Sequence, residues 1–154
     1  MCEDFILQKT GLTIEDHQNI TVERYSRLID LTNVYVMPVL QGYAPESYLA
    51  HLHLYGELLS PGQWVGVGSI CKRNGNPKQI EDILVAIHAQ RPDLLLHGFG
   101  IKLAALQSPT VRALLYSSDS MAWSFAGRKW GRKTESFPNM IPVKHWPIPH
   151  RLRL

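Results

Sequence analysis

Residues 64–70 read Trp-Val-Gly-Val-Gly-Ser-Ile, an apolar run of strand length that ends among glycines and a serine. Three further runs of this kind, over residues 34–40, 94–98 and 114–117, are rich in β-branched or large aliphatic residues and bounded by Gly, Pro or polar residues. All four read as buried strands. Helical periodicity fills the gaps between them. Thr21 caps a segment with Tyr25, Leu28 and Ile29 on one face. Pro45 opens a second helix whose stripe is Tyr48, Leu49, Leu52, Tyr55, Leu58 and Leu59, with Gly62 beyond it. Asn76 and Pro77 form the cap and first turn of a third, with Ile80, Ile83, Leu84 and Ile87 inward. Short helices follow from Ile101 and from Pro109.

Strand and helix alternating in this way predict right-handed βαβ units and a parallel sheet, the α/β class. Two closures fit, a TIM-type (β/α)8 barrel and a doubly wound sheet, and the strand ends favour the barrel. The runs finish in Gln41-Gly42, Gly68-Ser69, His97-Gly98-Phe99-Gly100 and Ser118-Asp119-Ser120, so every strand delivers polar groups or glycines to its C-terminal edge. A barrel keeps its active site there, whereas a doubly wound sheet concentrates such groups at one switch point. A whole barrel takes about 250 residues and eight strands, and four strands are legible here. Residues 1–7 read as the tail of a strand or the loop leaving it. The expectation is a partial barrel over residues 1–124, truncated, split or assembled with another chain, followed by a basic, proline-containing arm over residues 125–154.

The net charge of +3 and pI near 9.0 permit a nucleic-acid partner without requiring one. The excess sits in the arm, where Arg128, Lys129, Arg132, Lys133, Lys144, Arg151 and Arg153 face the single acid Glu135. Two cysteines, Cys2 and Cys71, are too few for a disulfide framework or a Cys-rich zinc site, so a reducing cytoplasmic setting is expected, with Cys71 buried or half-buried. No stretch approaches the roughly 20 apolar residues of a membrane span, and the start lacks a signal-peptide pattern.

Chemistry concentrates at the strand exits. Val65-Gly66-Val67-Gly68 allows a ligand close to the backbone, with glycine amides open for hydrogen bonding or, alternatively, serves a tight strand exit. It matches neither GxGxxG nor a P-loop. Asp119, flanked by Ser117, Ser118 and Ser120 and followed by Met121-Ala122-Trp123, is the carboxylate at the exits. It reads as a nucleophile or general base, or else as a helix N-cap. Gln41 offers the paired donor and acceptor that read an amide or a purine edge. His97 stands at a strand end as a donor to a ligand or as a satisfied buried histidine. His51 and His53 fall on different faces of a helix, and no histidine shows metal-site spacing, so no metal is expected.

Taken together, Pro38-Val39-Leu40-Gln41-Gly42, Val65-Gly66-Val67-Gly68-Ser69, Leu96-His97-Gly98-Phe99-Gly100 and Ser118-Asp119-Ser120-Met121-Ala122-Trp123-Ser124 resemble, in order and spacing, the second half of the barrel in the queuine/archaeosine tRNA-guanine transglycosylase superfamily. Their wording is nearer to the DpdA-type branch, which exchanges guanine in DNA for a 7-deazaguanine. The resemblance runs to about Lys129. It implies that Asp119 attacks the sugar C1′ to form a covalent intermediate, and that Gln41 with Gly42 reads the purine edge. It places Gly66, Val67 and Gly68 along the base pocket and His97, Gly98 and Gly100 beneath the sugar. Trp123 or Tyr43 would stack on a flipped base, and Arg128, Lys129, Arg132 and Lys133 would hold phosphates. DNA and a free 7-deazaguanine base are the implied partners, tRNA the alternative, and a non-catalytic nucleic-acid-binding subunit the reading from another class. The closely spaced cysteines that bind zinc in the tRNA enzymes have no counterpart. Neither does the superfamily's second aspartate, with Glu3 and Asp4 outside the pattern; a second chain completing the barrel would supply it.

Overall fold

Thr13, rather than Thr21, opens the first helix, α1 (Ile14–Leu31). Its hydroxyl accepts from the Asp16 amide at 3.1 Å while the Asp16 carboxylate accepts from the Thr13 amide at 2.8 Å, a reciprocal capping box. Thr21 lies inside the helix and donates its hydroxyl to the His17 carbonyl at 2.7 Å. Tyr25 is buried and Ile29 packs against the core as expected, but Leu28 is 49% exposed, because Gln18 and Tyr25 set the inward face. The computed structural model describes residues 8–120.

Four parallel strands follow, β1 (Val39–Leu40), β2 (Trp64–Val67), β3 (Leu95–Gly98) and β4 (Ser117–Ser118). They lie side by side in the order β1-β2-β3-β4, without the reversal that marks a doubly wound sheet. The register aligns Val39, Gly66, His97 and Ser117 in one row and Leu40, Val67, Gly98 and Ser118 in the next. Side chains alternate faces along a strand, so these rows point oppositely. Leu40, Val65, Val67 and Leu96 join the helices in one core, and the Gly66-His97-Ser117 row faces the other way.

Helix α2 (Pro45–Tyr55) begins at proline, with Ala44 in the capping position, and passes into a 3-10 turn over Gly56–Leu58. Tyr48, Leu52, Tyr55 and Leu59 are buried and Leu49 and Leu58 partly so, as their spacing predicts. His51 is buried with them. Helix α3 (Pro77–Gln90) buries Ile80, Ile83, Leu84 and Ile87, the expected stripe, although Asn76 makes no side-chain cap bond. Two short helices, α4 (Leu103–Leu106) and α5 (Pro109–Leu114), lead to β4, and the Ser108 hydroxyl caps α5 by accepting from the Val111 amide.

Several boundaries differ from the sequence reading. Only Val39 and Leu40 of residues 34–40 pair in the sheet; Val34 and Tyr35 are exposed. Strand β2 stops at Val67 because Ser69 takes φ 64° and the chain turns into a 3-10 segment, Ile70–Arg73, which leaves Cys71 exposed rather than packed. The last strand lies at Ser117–Ser118, since Leu114 belongs to α5. Helix α4 begins after Lys102, with Ile101 buried ahead of it. Among the described residues no helix is long and apolar enough to cross a membrane.

Candidate active site

Because all four strands are parallel and adjacent, their C-terminal ends share one rim. Gln41, Gly68, the loop from Gly98 to Gly100 and Asp119 therefore line one edge of the sheet, as the strand exits predict. Asp119 is the carboxylate at the strand exits among the described residues. Its amide donates to the Gly98 carbonyl at 3.4 Å, which carries the ladder past β4. Its Oδ1 accepts from the Gly100 amide at 2.9 Å and lies 3.5 Å from His97 Nε2, with the side chain 52% exposed. Gly100 presents that amide from φ +66°, a left-handed conformation suited to glycine.

The His97 side chain beside Asp119 is 13% exposed. Its Nδ1 sits 2.8 Å from Ser117 Oγ, which also accepts from Trp64 Nε1 at 3.0 Å. Phe99 and Trp64 meet the imidazole edge to face, with centroids 4.8 and 5.6 Å away. The 99–102 loop is braced by Asn74, whose side chain donates to the carbonyls of Cys71 and Gly100 and accepts from the Lys102 amide. Asn74 carried no signal in the sequence beyond its place before a Gly-Asn-Pro turn.

The glycines act differently from the expected open cradle. The Gly66 and Gly68 amides donate to the carbonyls of Pro38 and Leu40 at 2.9 and 2.8 Å, so neither is open. Gly66 makes room for Phe99: a methyl there would lie 2.9 Å from the ring's Cζ. Val67 is fully buried on the helix side. Gly98 fits under Ile101 and Leu115, and Gly42 fits against Tyr48, both by close packing.

Gln41 is anchored through its backbone. Its carbonyl accepts from Gln18 Nε2 at 2.6 Å and its amide donates to His51 Nδ1 at 2.9 Å, while its own side-chain amide makes no hydrogen bond among the described residues. Burial pulls the His51 pKa down to about 4 and leaves its Nε2 without a partner among the described residues. Next door, the Tyr48 hydroxyl donates to the Gly68 carbonyl at 2.7 Å, with its pKa pushed up to about 12 by burial. Sequence reasoning missed His51, although its spacing of three from Tyr48 and four from Tyr55 places it on the inward stripe. His51 and His53 do face apart, one buried and one exposed.

A cleft of about 190 Å³ opens elsewhere on the rim, between Tyr43, Pro45, Arg73 and the α3 residues Gln79, Asp82 and Ile83, and does not include Asp119. Arg73 stacks over the half-exposed Tyr43 ring at 5.2 Å and donates to the carbonyls of Ser69 and Tyr43. Among the described residues no group of three or more His, Cys, Asp or Glu side chains is placed to hold a metal. Trp123, Arg128, Lys129, Arg132 and Lys133 lie outside the described residues.

A sequentially ordered parallel sheet packed against helices defines an α/β protein, with the Asp119 carboxylate at the C-terminal rim of its sheet. The chain matches the model of the DpdA family, DeoxyPurine in DNA protein A, over residues 1–139, and belongs to that family. This is the branch of DNA 7-deazaguanine transglycosylases that the four strand-exit motifs resemble. No curated protein and no solved structure matches the chain.

Proposed function

We propose that this chain carries the nucleophile-bearing part of a DNA 7-deazaguanine transglycosylase, with Asp119 as the nucleophile. The observation that carries the reading is the Asp119 carboxylate itself. It is exposed on the rim, one oxygen is held by the Gly100 amide and faced by His97, and Oδ2 accepts no hydrogen bond among the described residues. That oxygen attacks C1′ of a deoxyguanosine as the bond from C1′ to N9 breaks, trapping the oxocarbenium character of the sugar as an ester. The departing guanine takes a proton from a general acid. In the return half, the incoming 7-deazaguanine gives up its N9 proton to a base, forms the new bond to C1′ and expels the carboxylate.

Gln41 supports base recognition, because its side-chain amide has no hydrogen-bond partner among the described residues and can pair with a purine's carbonyl and amide edge. For Gly66 to line the base beside Val67 and Gly68, the Phe99 ring must swing off Gly66. His97, Gly98 and Gly100 lie under the sugar in this reading, with Gly42 and Trp123 contributing to the base site. The sequential parallel order supports half of a TIM-type barrel over residues 1–124, completed by a second polypeptide segment that brings the proton-handling carboxylate. The arm over residues 125–154 then holds DNA phosphates through Arg128, Lys129, Arg132 and Lys133.

A denaturing gel of the chain, alone and with a polypeptide supplying the remaining strands, incubated with guanine-containing duplex DNA tests the proposal. A covalent adduct that Asp119→Ala abolishes is the expected result. A folded chain that gives no adduct in either setting removes the catalytic claim, and an adduct with tRNA in place of DNA reassigns the substrate.

A further inference from the structure

We infer that Trp64, Ser117 and His97 form a one-way hydrogen-bond relay that orients the Asp119 carboxylate. The inference rests on the reading of Asp119 as nucleophile, but its geometry is independent of it. The indole N–H of Trp64 can only donate, so Ser117 Oγ, 3.0 Å away, accepts from it. The hydroxyl hydrogen of Ser117 is then free for His97 Nδ1 at 2.8 Å, which makes Nδ1 the acceptor and Nε2 the protonated nitrogen of the neutral ring. Nε2–H faces Asp119 Oδ1 across 3.5 Å, a long contact of the kind that shortens when substrate closes a site. The opposite tautomer would set a lone pair of Nε2 against a carboxylate oxygen and is disfavoured by that repulsion.

The relay follows from sheet geometry. Gly66, His97 and Ser117 share one row of the register, Trp64 precedes Gly66 by two residues and Asp119 follows Ser117 by two. A period of two therefore brings all four functional side chains to one face. The glycine in that row admits Phe99, which closes one side of the imidazole while Trp64 closes another; the His97 side chain is 13% exposed and held against rotation. Oδ1 thus receives the Gly100 amide and His97 together, and Oδ2 remains the oxygen that can meet C1′. His97 acts here as a positioning residue.

The tautomer of His97 in the full chain, read by long-range nitrogen–proton correlation NMR, tests the relay without any substrate. The expected spectrum has bare Nδ1 and protonated Nε2, a preference lost in Ser117→Ala and weakened in Trp64→Phe. In the adduct assay His97→Ala slows formation on the order of 100-fold, as expected of a misplaced reacting group. His97→Gln, whose amide offers a donor near the Nε2 position, recovers to within about tenfold of the native rate. A protonated Nδ1 in the native chain, or His97→Gln no better than His97→Ala with both folded by circular dichroism, overturns the relay. The expected tautomer responding to Ser117→Ala in a chain that forms no adduct upholds the relay and removes the transglycosylase reading instead.

Discussion

Acidification from pH 7 to 4 will destabilise this protein mainly through His51. The residue is fully buried, so desolvation disfavours the charged ring and outweighs the backbone hydrogen bonds that favour it, and its pKa falls from 6.5 to about 4. In the unfolded chain the same imidazole titrates near its ordinary value. Above pH 6.5 both states are neutral and the group has no effect. Between about 6.5 and 4 the unfolded state binds the extra proton, so stability falls by up to roughly 1.4 kcal/mol per pH unit. Across the whole shift the loss is about 3 kcal/mol, a large part of the stability of an ordinary domain. The Asp93 carboxyl, held at about 2 by Arg91, contributes in a separate window, because its stabilisation is lost only below its unfolded value of 3.8. Urea midpoints of the native chain and of His51→Gln, measured at half-unit steps from pH 7.5 to 4, isolate the effect. The variant should be less stable at neutral pH but shallower in its pH slope. Equal slopes in the two proteins would refute the assignment of the acid sensitivity to His51.

Two further outcomes follow from the rim and the arm. Gly100→Ala should cost about 1–2 kcal/mol from its left-handed backbone, and more from a methyl 2.8 Å from Cys71 Cβ; with the Asp119 clamp displaced, adduct formation should fall further than the change in melting temperature explains, whereas unchanged adduct formation would separate that clamp from catalysis. Replacing Arg128, Lys129, Arg132 and Lys133 together by glutamine should flatten the dependence of log K for duplex DNA on log salt by up to about 3.6, and an unaltered slope would remove the arm from the phosphate contacts.

The parts of the fold legible in the sequence are those where burial and periodicity coincide. Helix α3 presents Ile80, Ile83, Leu84 and Ile87 to the core at helical spacing, and all four are buried. Strand ends carrying Gln41, Gly68, His97 and Asp119 to a shared rim were legible because a parallel sheet places every exit on one side. Strand limits were less so, since apolar composition reports burial whereas pairing depends on a neighbour: Val34 and Tyr35 look like strand and stay exposed, Leu114 looks like strand and closes α5, and Ser118 looks like loop and pairs with β3. The start of α1 was obscured because its inward face is sparse and includes Gln18, a polar residue buried for its bonds to the Gln41 and Ser47 carbonyls. At the site, Asp119 stood out by type, but its link to Trp64 depends on lateral register, which local sequence does not encode.

The anchoring of Gln41 by Gln18 and His51 gives the rim an unusual heritable property. Residues on two helices, neither of them at the rim's edge, fix where the loop after β1 stands. Substitutions at positions 18 and 51 would therefore shift Gln41 without altering its chemistry. Under the proposed reading of Gln41 as a base contact, divergence in which base is accepted can accumulate under the surface while Gln41 itself stays unchanged.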